Sequence, residues 1–254
     1  MIYKIKDGQG AESLFDGWQE TIIWSCLQHI MGTLYGDDPH FPASAAAVLG
    51  DFCFFAGRPL KELVLMISKI RRHSLMIMVP QNEGWSQLIC QCFPGQAKKI
   101  TRYATQKEKN SFSKEKLTET ALRLPYGYIL SPITETLFCQ CQSQEWSRDL
   151  VSQYPSYKQF KKLGLGVLAL KDGLPVSGAS SYCAYHHGIE IEVDTRKDFR
   201  RQGLAYACAS QLILDCLERN LYPSWDAHNP ASLALAQKLG YYYSHSYDAF
   251  LIHC

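Results

Sequence analysis

The run Ile189-Glu-Ile-Glu-Val-Asp-Thr195, leading into Phe199-Arg-Arg-Gln-Gly-Leu-Ala205, decides how this chain is to be read. Its first part alternates apolar and acidic residues with the period of a β-strand. That puts Ile189, Ile191 and Val193 on one face and Glu190, Glu192 and Asp194 on the other. Its second part is a basic loop broken by glycine. From Gly203 to Arg219 the apolar residues Ala205, Cys208, Ala209, Leu212 and Cys216 then follow the spacing of a helix packed on a sheet. Such a strand-to-helix junction aims backbone N–H groups, the positive end of a helix dipole and two guanidiniums at one point, which suits a phosphate. Gly203 lets the backbone approach a diphosphate closely, and the small Ala205 keeps helix against strand.

Upstream, Gly127–Ser131 reads as a strand, the region from Glu135 to Lys162 as helical, and Gly166–Leu170 as a second strand. Asp172-Gly173 is a hairpin signal before the strand Pro175–Tyr185, and His187-Gly188 turns that strand into the acidic one. Downstream, Asn220 and Pro223 end the helix and Tyr222–Ala227 forms a short strand. Asn229-Pro230 then supplies an N-cap and a proline at the first helical position, for a helix that stops at Gly240. Tyr241–Ile252 closes the chain as a strand. In the N-terminal half, Ser13–Gly32, Ala43–Phe55 and Leu60–Ile70 read as helices, with strands at Leu75–Val79, Trp85–Phe93 and Lys99–Thr105 and a charged helix from Lys114 to Leu122. The expected organisation is a mixed α/β domain over 1–122 and a second domain over 123–254 with a mixed, mostly antiparallel sheet flanked by helices. The fold class is α+β/α/β.

The 254 residues, 46% of them apolar and 20% charged, are enough for two domains with real cores. A net charge of +2 argues against a nucleic-acid partner. The basic cluster Lys69–His73 reads as a solvated helix terminus. No apolar run has the length of a membrane span and the N-terminus has no signal-peptide pattern, so a cytoplasmic protein is expected. The ten cysteines lie scattered in apolar runs and read as reduced, mostly buried thiols. Cys90-Gln-Cys92 and Cys139-Gln-Cys141 have a spacing of one residue, too short for the usual zinc pair, and no metal is expected. Neither a G-x-G-x-x-G run on a βαβ unit nor a Walker A sequence is present.

With the loop Arg200-Arg-Gln-Gly-Leu-Ala205 set in this context, the chain resembles the GCN5-related N-acetyltransferase (GNAT) superfamily, whose phosphate loop has the pattern Q/R-x-x-G-x-G/A. Within it, Glu190-Ile-Glu-Val-Asp-Thr195, Leu221-Tyr-Pro-Ser-Trp-Asp-Ala-His-Asn229 and Leu235-Ala-Gln-Lys-Leu-Gly-Tyr241 look like the zwittermicin A resistance type, as do Ala45-Ala-Ala-Val-Leu-Gly-Asp-Phe-Cys53 and Thr101-Arg-Tyr-Ala104. The resemblance implies acetyl-CoA as co-substrate, its pantetheine along Val193, Asp194 and Thr195 and its diphosphate on Arg200, Arg201, Gln202, Gly203, Leu204 and Ala205. Asn229, with Ser232 in the same set, is implied at the pantetheine or thiol end; a plain N-cap is the alternative for Asn229.

Acetyl transfer to an amine needs a base, a polarised carbonyl and a proton for the leaving thiolate. Glu192, nearer the strand end, and then Glu190 are the base candidates; the alternative is that they attract a cationic substrate. The acid is open, because the position where many family members carry a tyrosine is Ala236; Tyr241, Tyr247 or water are the options. His186, His187 and His228 flank the proposed cleft and read as exposed turn residues. The expected acceptor is a small-molecule amine, and the oligomeric state is left open, a homodimer included. The rival readings are a non-catalytic acyl-CoA-binding module and a transferase with a different acyl donor. The first half is either a degenerate copy of the same fold or a substrate-recognition cap, with Arg102 and Glu108 as candidates for an acceptor wall.

Overall fold

The computed structural model describes residues 1–6, 8–70, 75–108 and 110–253; residues 71–73 of the basic cluster and Cys254 lie outside them. The chain forms two compact units, Met1–Arg102 with Ser246–Cys254, and Tyr103–His245. These bounds differ from the expected 1–122 and 123–254: the first unit takes the last strand segment of the chain, and the second takes residues 103–122, with the end of a strand and a helix that packs on its own long helix, long-range contacts that no local signal encodes.

The first unit opens with β1 (Tyr3–Ile5), followed by α1 (Gln9–Glu12) and α2 (Thr21–Leu27). β2 (Thr33–Gly36), β3 (Ser44–Leu49) and β4 (Phe52–Gly57) come next, then α3 (Lys61–Ile70), β5 (Leu75–Pro80), α4 (Glu83–Cys92) and β6 (Ala97–Thr105). Strands β1 to β4 pair antiparallel in sequence order and β4 pairs parallel with β5. Phe55, Leu63, Ile67, Met78, Trp85 and Ile89 are buried together in its core.

Two elements of this unit are the reverse of the sequence reading. Ala43–Phe55 is the hairpin of β3 and β4, not a helix. Both strands are buried on both faces, so the alternation that marks a strand is missing, and the alanine-rich run mimics a helix. Trp85–Phe93 falls in α4 and its C-cap, not in a strand. Trp85, Ile89 and Phe93 recur every fourth residue, and the Asn82 side chain caps the helix by accepting from the Trp85 N–H at 3.2 Å. The expected helix Ser13–Gly32 is also divided, with Gly17 at φ +84° interrupting it before α2.

The second unit follows its sequence reading closely. It comprises α5 (Lys114–Leu122), β7 (Tyr128–Pro132), α6 (Glu135–Ser143), α7 (Tyr157–Leu163), β8 (Gly166–Lys171), β9 (Leu174–Tyr185) and β10 (Gly188–Thr195). Then come α8 (Leu204–Glu218), β11 (Tyr222–Ser224), β12 (Asp226–Ala227), α9 (Pro230–Leu239) and β13 (Tyr243–His253), whose outer part belongs to the first unit, where Phe250–His253 pair with Met78–Leu75. The sheet order is β11-β10-β9-β8-β7, antiparallel except for the parallel β10–β11 pair. Asp172 and Gly173 both take positive φ in the β8–β9 hairpin, as an Asp-Gly turn of the primed type requires. Leu204, Cys208, Leu212 and Cys216 bury one side of α8, which packs on β8, β9 and β10. α5 covers α8 from outside the sheet.

One-residue spacing also explains the cysteine pairs. On α4 and α6, residues two apart point to different sides of a helix and do not converge on one ion. Cys139 is exposed while Cys141 is buried, and burial pushes the Cys141 thiol up to about 11. No helix among the described residues is long and apolar enough to cross a membrane.

Candidate active site

The site begins where two parallel strands separate. β10 pairs with β11 only over Gly188–Glu190 against Tyr222–Ser224. Beyond Ser224 the chain leaves: Asp226 and Ala227 pair instead with Ala104 and Tyr103, and the Thr105 hydroxyl donates to the Trp225 carbonyl at 2.6 Å. Proline at position 223 costs little there, because β11 is the edge of its sheet. The remainder of β10, Ile191 to Thr195, keeps its β9 partners on one side. Its other edge is no longer bordered by β11, which pairs with β10 only as far as Glu190.

A second feature lies at the same place. Between Glu190 and Ile191 the register with β9 shifts, from Cys183 to Ser181, so Tyr182 is an extra residue in β9. Bulges of this kind re-aim side chains beside functional sites. The three carboxylates do not form the uniform surface that alternation implies. Glu190 is only 6% exposed, whereas Glu192 and Asp194 are half-buried. The Glu190 carboxylate lies among the phenols of Tyr185, Tyr222 and Tyr241, whose ionisation is pushed up first by burial and further by that charge.

Tyr185 holds this vertex. Its hydroxyl lies 2.7 Å from that of Ser224, and its ring lies over Gly188, where a Cβ would come within 2.2 Å of the ring. Glycine at 188 is therefore a packing requirement. Gly188→Ala is expected to displace the buried Tyr185 ring and cost about 1–3 kcal/mol of stability, read from the denaturant midpoint, as overpacking of a filled core does. An unchanged midpoint would refute the vertex as described. Neither Tyr185 nor Ser224 was found from sequence; Gly188 was read only as a turn residue.

At the end of β10, Asp194 is pushed up to about 6, mainly by burial and further by the charge of Asp149, against the opposing Thr195 N–H and Arg200. A carboxyl whose folded-state value is raised binds more protons in the native state, so its contribution to stability is lost as pH rises through the window from about 4 to about 6. Asp194→Asn is expected to remove that loss. The melting temperature of the variant relative to the wild type should increase across this window and level off above it; a difference independent of pH would contradict the burial of this carboxyl.

The loop that follows turns sharply between β10 and α8. Arg200 Nε donates to the Thr195 carbonyl at 3.1 Å, which fixes the side chain at the strand end. Arg201 at φ +66° and Gly203 at φ +81° turn the backbone twice through the left-handed region. A Cβ on Gly203 would meet nothing within 4 Å, so its backbone borders open space and the glycine is required by conformation alone. Gly203 caps the fifteen-residue α8 without a side-chain acceptor, leaving the N–H groups of the first turn free of helix partners. Gln202 is held from outside: the Tyr128 hydroxyl donates to its Oε1 at 2.7 Å, and Tyr128 packs edge-on against Phe199. Arg196 lies over the Phe199 ring and pairs with Asp198. Arg200 and Arg201 are exposed cations next to Gly203, and Lys197 is a third in the loop.

Asn229 caps α9, its Oδ1 accepting from the Ser232 N–H at 2.8 Å while Nδ2 lies 2.7 Å from His228. The Ser232 hydroxyl accepts from the Trp225 indole at 3.2 Å. Both residues are therefore structural at the start of α9, whatever else they bind. Ala236 is fully buried and brings no hydroxyl. Tyr241 is 2% exposed and donates to the Pro223 carbonyl at 2.5 Å, so its phenol serves the fold; Tyr247 lies in the first unit. His186 and His187 are exposed at the β9–β10 turn. Arg102 is buried within the first unit over the Phe52 ring at 4.7 Å, and Glu108 is exposed in the second.

Separated parallel strands, a glycine-bearing basic loop with two left-handed residues and the helix that starts from it define an acyltransferase of the GNAT fold. Residues 12–250 match the family model for GNAT acetyltransferases, and the chain belongs to that family. It is similar to a GCN5-related N-acetyltransferase-like protein from Streptococcus suis 89/1591, at 47% identity and a TM-score of 0.91 over 96% of this chain and 97% of that one. It is also 27% identical over 237 residues, 89% of this chain and 88% of the relative, to the Bacillus subtilis (strain 168) protein named uncharacterized N-acetyltransferase YdfB. A tandem GNAT protein from the clavulanic acid biosynthesis pathway shares the fold alone, with 9% identity and a TM-score of 0.54 over 100% of this chain and 98% of that one.

Proposed function

We propose that the second unit moves an acetyl group from acetyl-CoA to the amine of a small-molecule acceptor by direct attack on the thioester. The observation that carries this reading is the coincidence of the parted β10 edge with the Arg200–Ala205 loop, which offers hydrogen bonds to an amide-bearing chain and a cradle for a diphosphate in one line. The groups present fit the co-substrate: Val193, Asp194 and Thr195 lie along the pantetheine strip, and Arg200, Arg201, Gln202, Gly203, Leu204 and Ala205 around the diphosphate. Family membership supports the same donor. The co-substrate supplies an activated acetyl group.

Glu192, half-buried on the part of β10 that lies beyond its β11 pairing, takes the proton from the acceptor amine, directly or through water. As the C–N bond forms the C–S bond breaks, and the leaving thiolate takes a proton from solvent, since Ala236 has no hydroxyl to offer. Asp149, Glu192 and Asp194 give the strand end a negative field that favours a cationic acceptor. The narrower resemblance to the zwittermicin A resistance type supports an amine-bearing acceptor and belongs to this proposal, as do cytoplasmic action and a homodimer.

The test supplies purified protein with acetyl-CoA and a panel of amines and follows free thiol. Amine-dependent thiol release above hydrolysis is expected. Uptake of acetyl-CoA with no release by any amine would favour the non-catalytic module instead.

A further inference from the structure

The first unit repeats the second in strand order and direction. β1-β2-β3-β4 run antiparallel and β4 meets β5 parallel, as β7-β8-β9-β10 run antiparallel and β10 meets β11 parallel. The helices fall at the same places: α1 and α2 match α6 and α7, α3 matches α8, and α4 matches α9. Even the caps agree, since Asn82 and Asn229 each accept from the N–H three residues on.

The two copies differ at the junction that matters for a ligand. β4 and β5 stay together over Phe52–Phe55 and Ile77–Pro80, and further bonds extend the ladder at both ends: Ile77 N–H to Asp51 carbonyl at 2.7 Å and Gln81 N–H to Phe55 carbonyl at 3.0 Å. β4 thus stays paired with β5 for one residue more than β10 does with β11, and side chains carry the closure further. Gly57, which ends β4 as Thr195 ends β10, has both backbone groups taken by side chains. Its N–H donates to Gln81 Oε1 at 2.8 Å, and its carbonyl accepts from the Trp85 indole at 2.9 Å. The Gln81 amide also donates to the Leu14 carbonyl, and the fully buried Trp85 ring stacks on Phe55 with centroids 5.0 Å apart. No anion loop follows. Only Arg58-Pro59-Leu60 separates β4 from α3; the Arg58 N–H is spent on the Ala43 carbonyl, and proline has none to give.

We infer that the first unit is a second copy of the acyl-CoA-binding topology whose crevice is filled by its own Gln81 and Trp85, so that the chain takes up one CoA, in the second unit only. This rests on the acyl-CoA reading of the second unit. The test uses the full chain with CoA in two measurements. Titration calorimetry should give one CoA per chain. Hydrogen exchange should show CoA-dependent protection in peptides covering residues 191–206 and unchanged exchange in peptides covering 52–64. Two CoA per chain, or protection at 52–64, would overturn the inference while leaving the second unit's reading intact. No uptake at all would overturn that reading, and the predicted stoichiometry with it.

Discussion

Reversing both exposed guanidiniums of the loop, Arg200→Glu with Arg201→Glu, is expected to weaken CoA binding by about 100- to 1,000-fold. Each charge-assisted hydrogen bond to a phosphate contributes roughly 1.5–3 kcal/mol, and the lower end applies to exposed groups that salt screens. Two such losses correspond to the stated range at about 1.4 kcal/mol per decade. The fold should survive. Both residues are exposed, and glutamate at 201 meets the same left-handed backbone that arginine already adopts there. The Arg200 bond to the Thr195 carbonyl goes, worth about 1 kcal/mol, and with it the favourable charge beside Asp194. Calorimetry at two ionic strengths checks the expectation: wild-type affinity should fall as salt rises, and the variant should show little of that dependence. An unaltered dissociation constant would remove the loop from the site.

The other large effect is expected at the base. Glu192→Gln keeps the shape of the side chain and removes its proton affinity, so kcat with a reactive amine should fall about 100- to 10,000-fold, the usual contribution of a positioned base. KM for acetyl-CoA should change little, and the acidic limb of the pH–rate profile should disappear. Glu190→Gln is the informative comparison. Glu190 lies inside the segment of β10 that pairs with β11, buried beside phenols, and Glu192 lies beyond that segment. If Glu190→Gln abolishes turnover and Glu192→Gln keeps wild-type kcat, the base is the buried carboxylate and the assignment made here is wrong.

The two strongest sequence signals, the acidic strand and the basic glycine loop, proved local. Alternation placed β10, the helical period placed α8, and Asp172-Gly173, Gly203, Asn229 and Gly240 marked its turns and caps, because each acts on the backbone within a few residues. The first half was read less well for a physical reason. β3 and β4 are buried on both faces and so lose the period of two, while an alanine run favours helix when neighbours are ignored. Trp85, Ile89 and Phe93 had the period of a helix, which their apolar, aromatic composition outweighed.

The sequence by itself determined the main strands and helices of the second unit, the glycine of its basic loop and the caps of α8 and α9, since dihedral preferences and nearest-neighbour hydrogen bonds decide those. Only the tertiary structure decided that β11 leaves β10 after Ser224, that Gly188 makes room for Tyr185, that Glu190 is buried while Glu192 is not, and that Gln81 and Trp85 close the matching place in the first unit. Most of these join residues far apart in the chain; Gly188 and Tyr185 are near neighbours, but Ser224, which lies against the Tyr185 hydroxyl, is not. Their energies come from packing and pairing that exist only once the strands have met, so no window of sequence contains them.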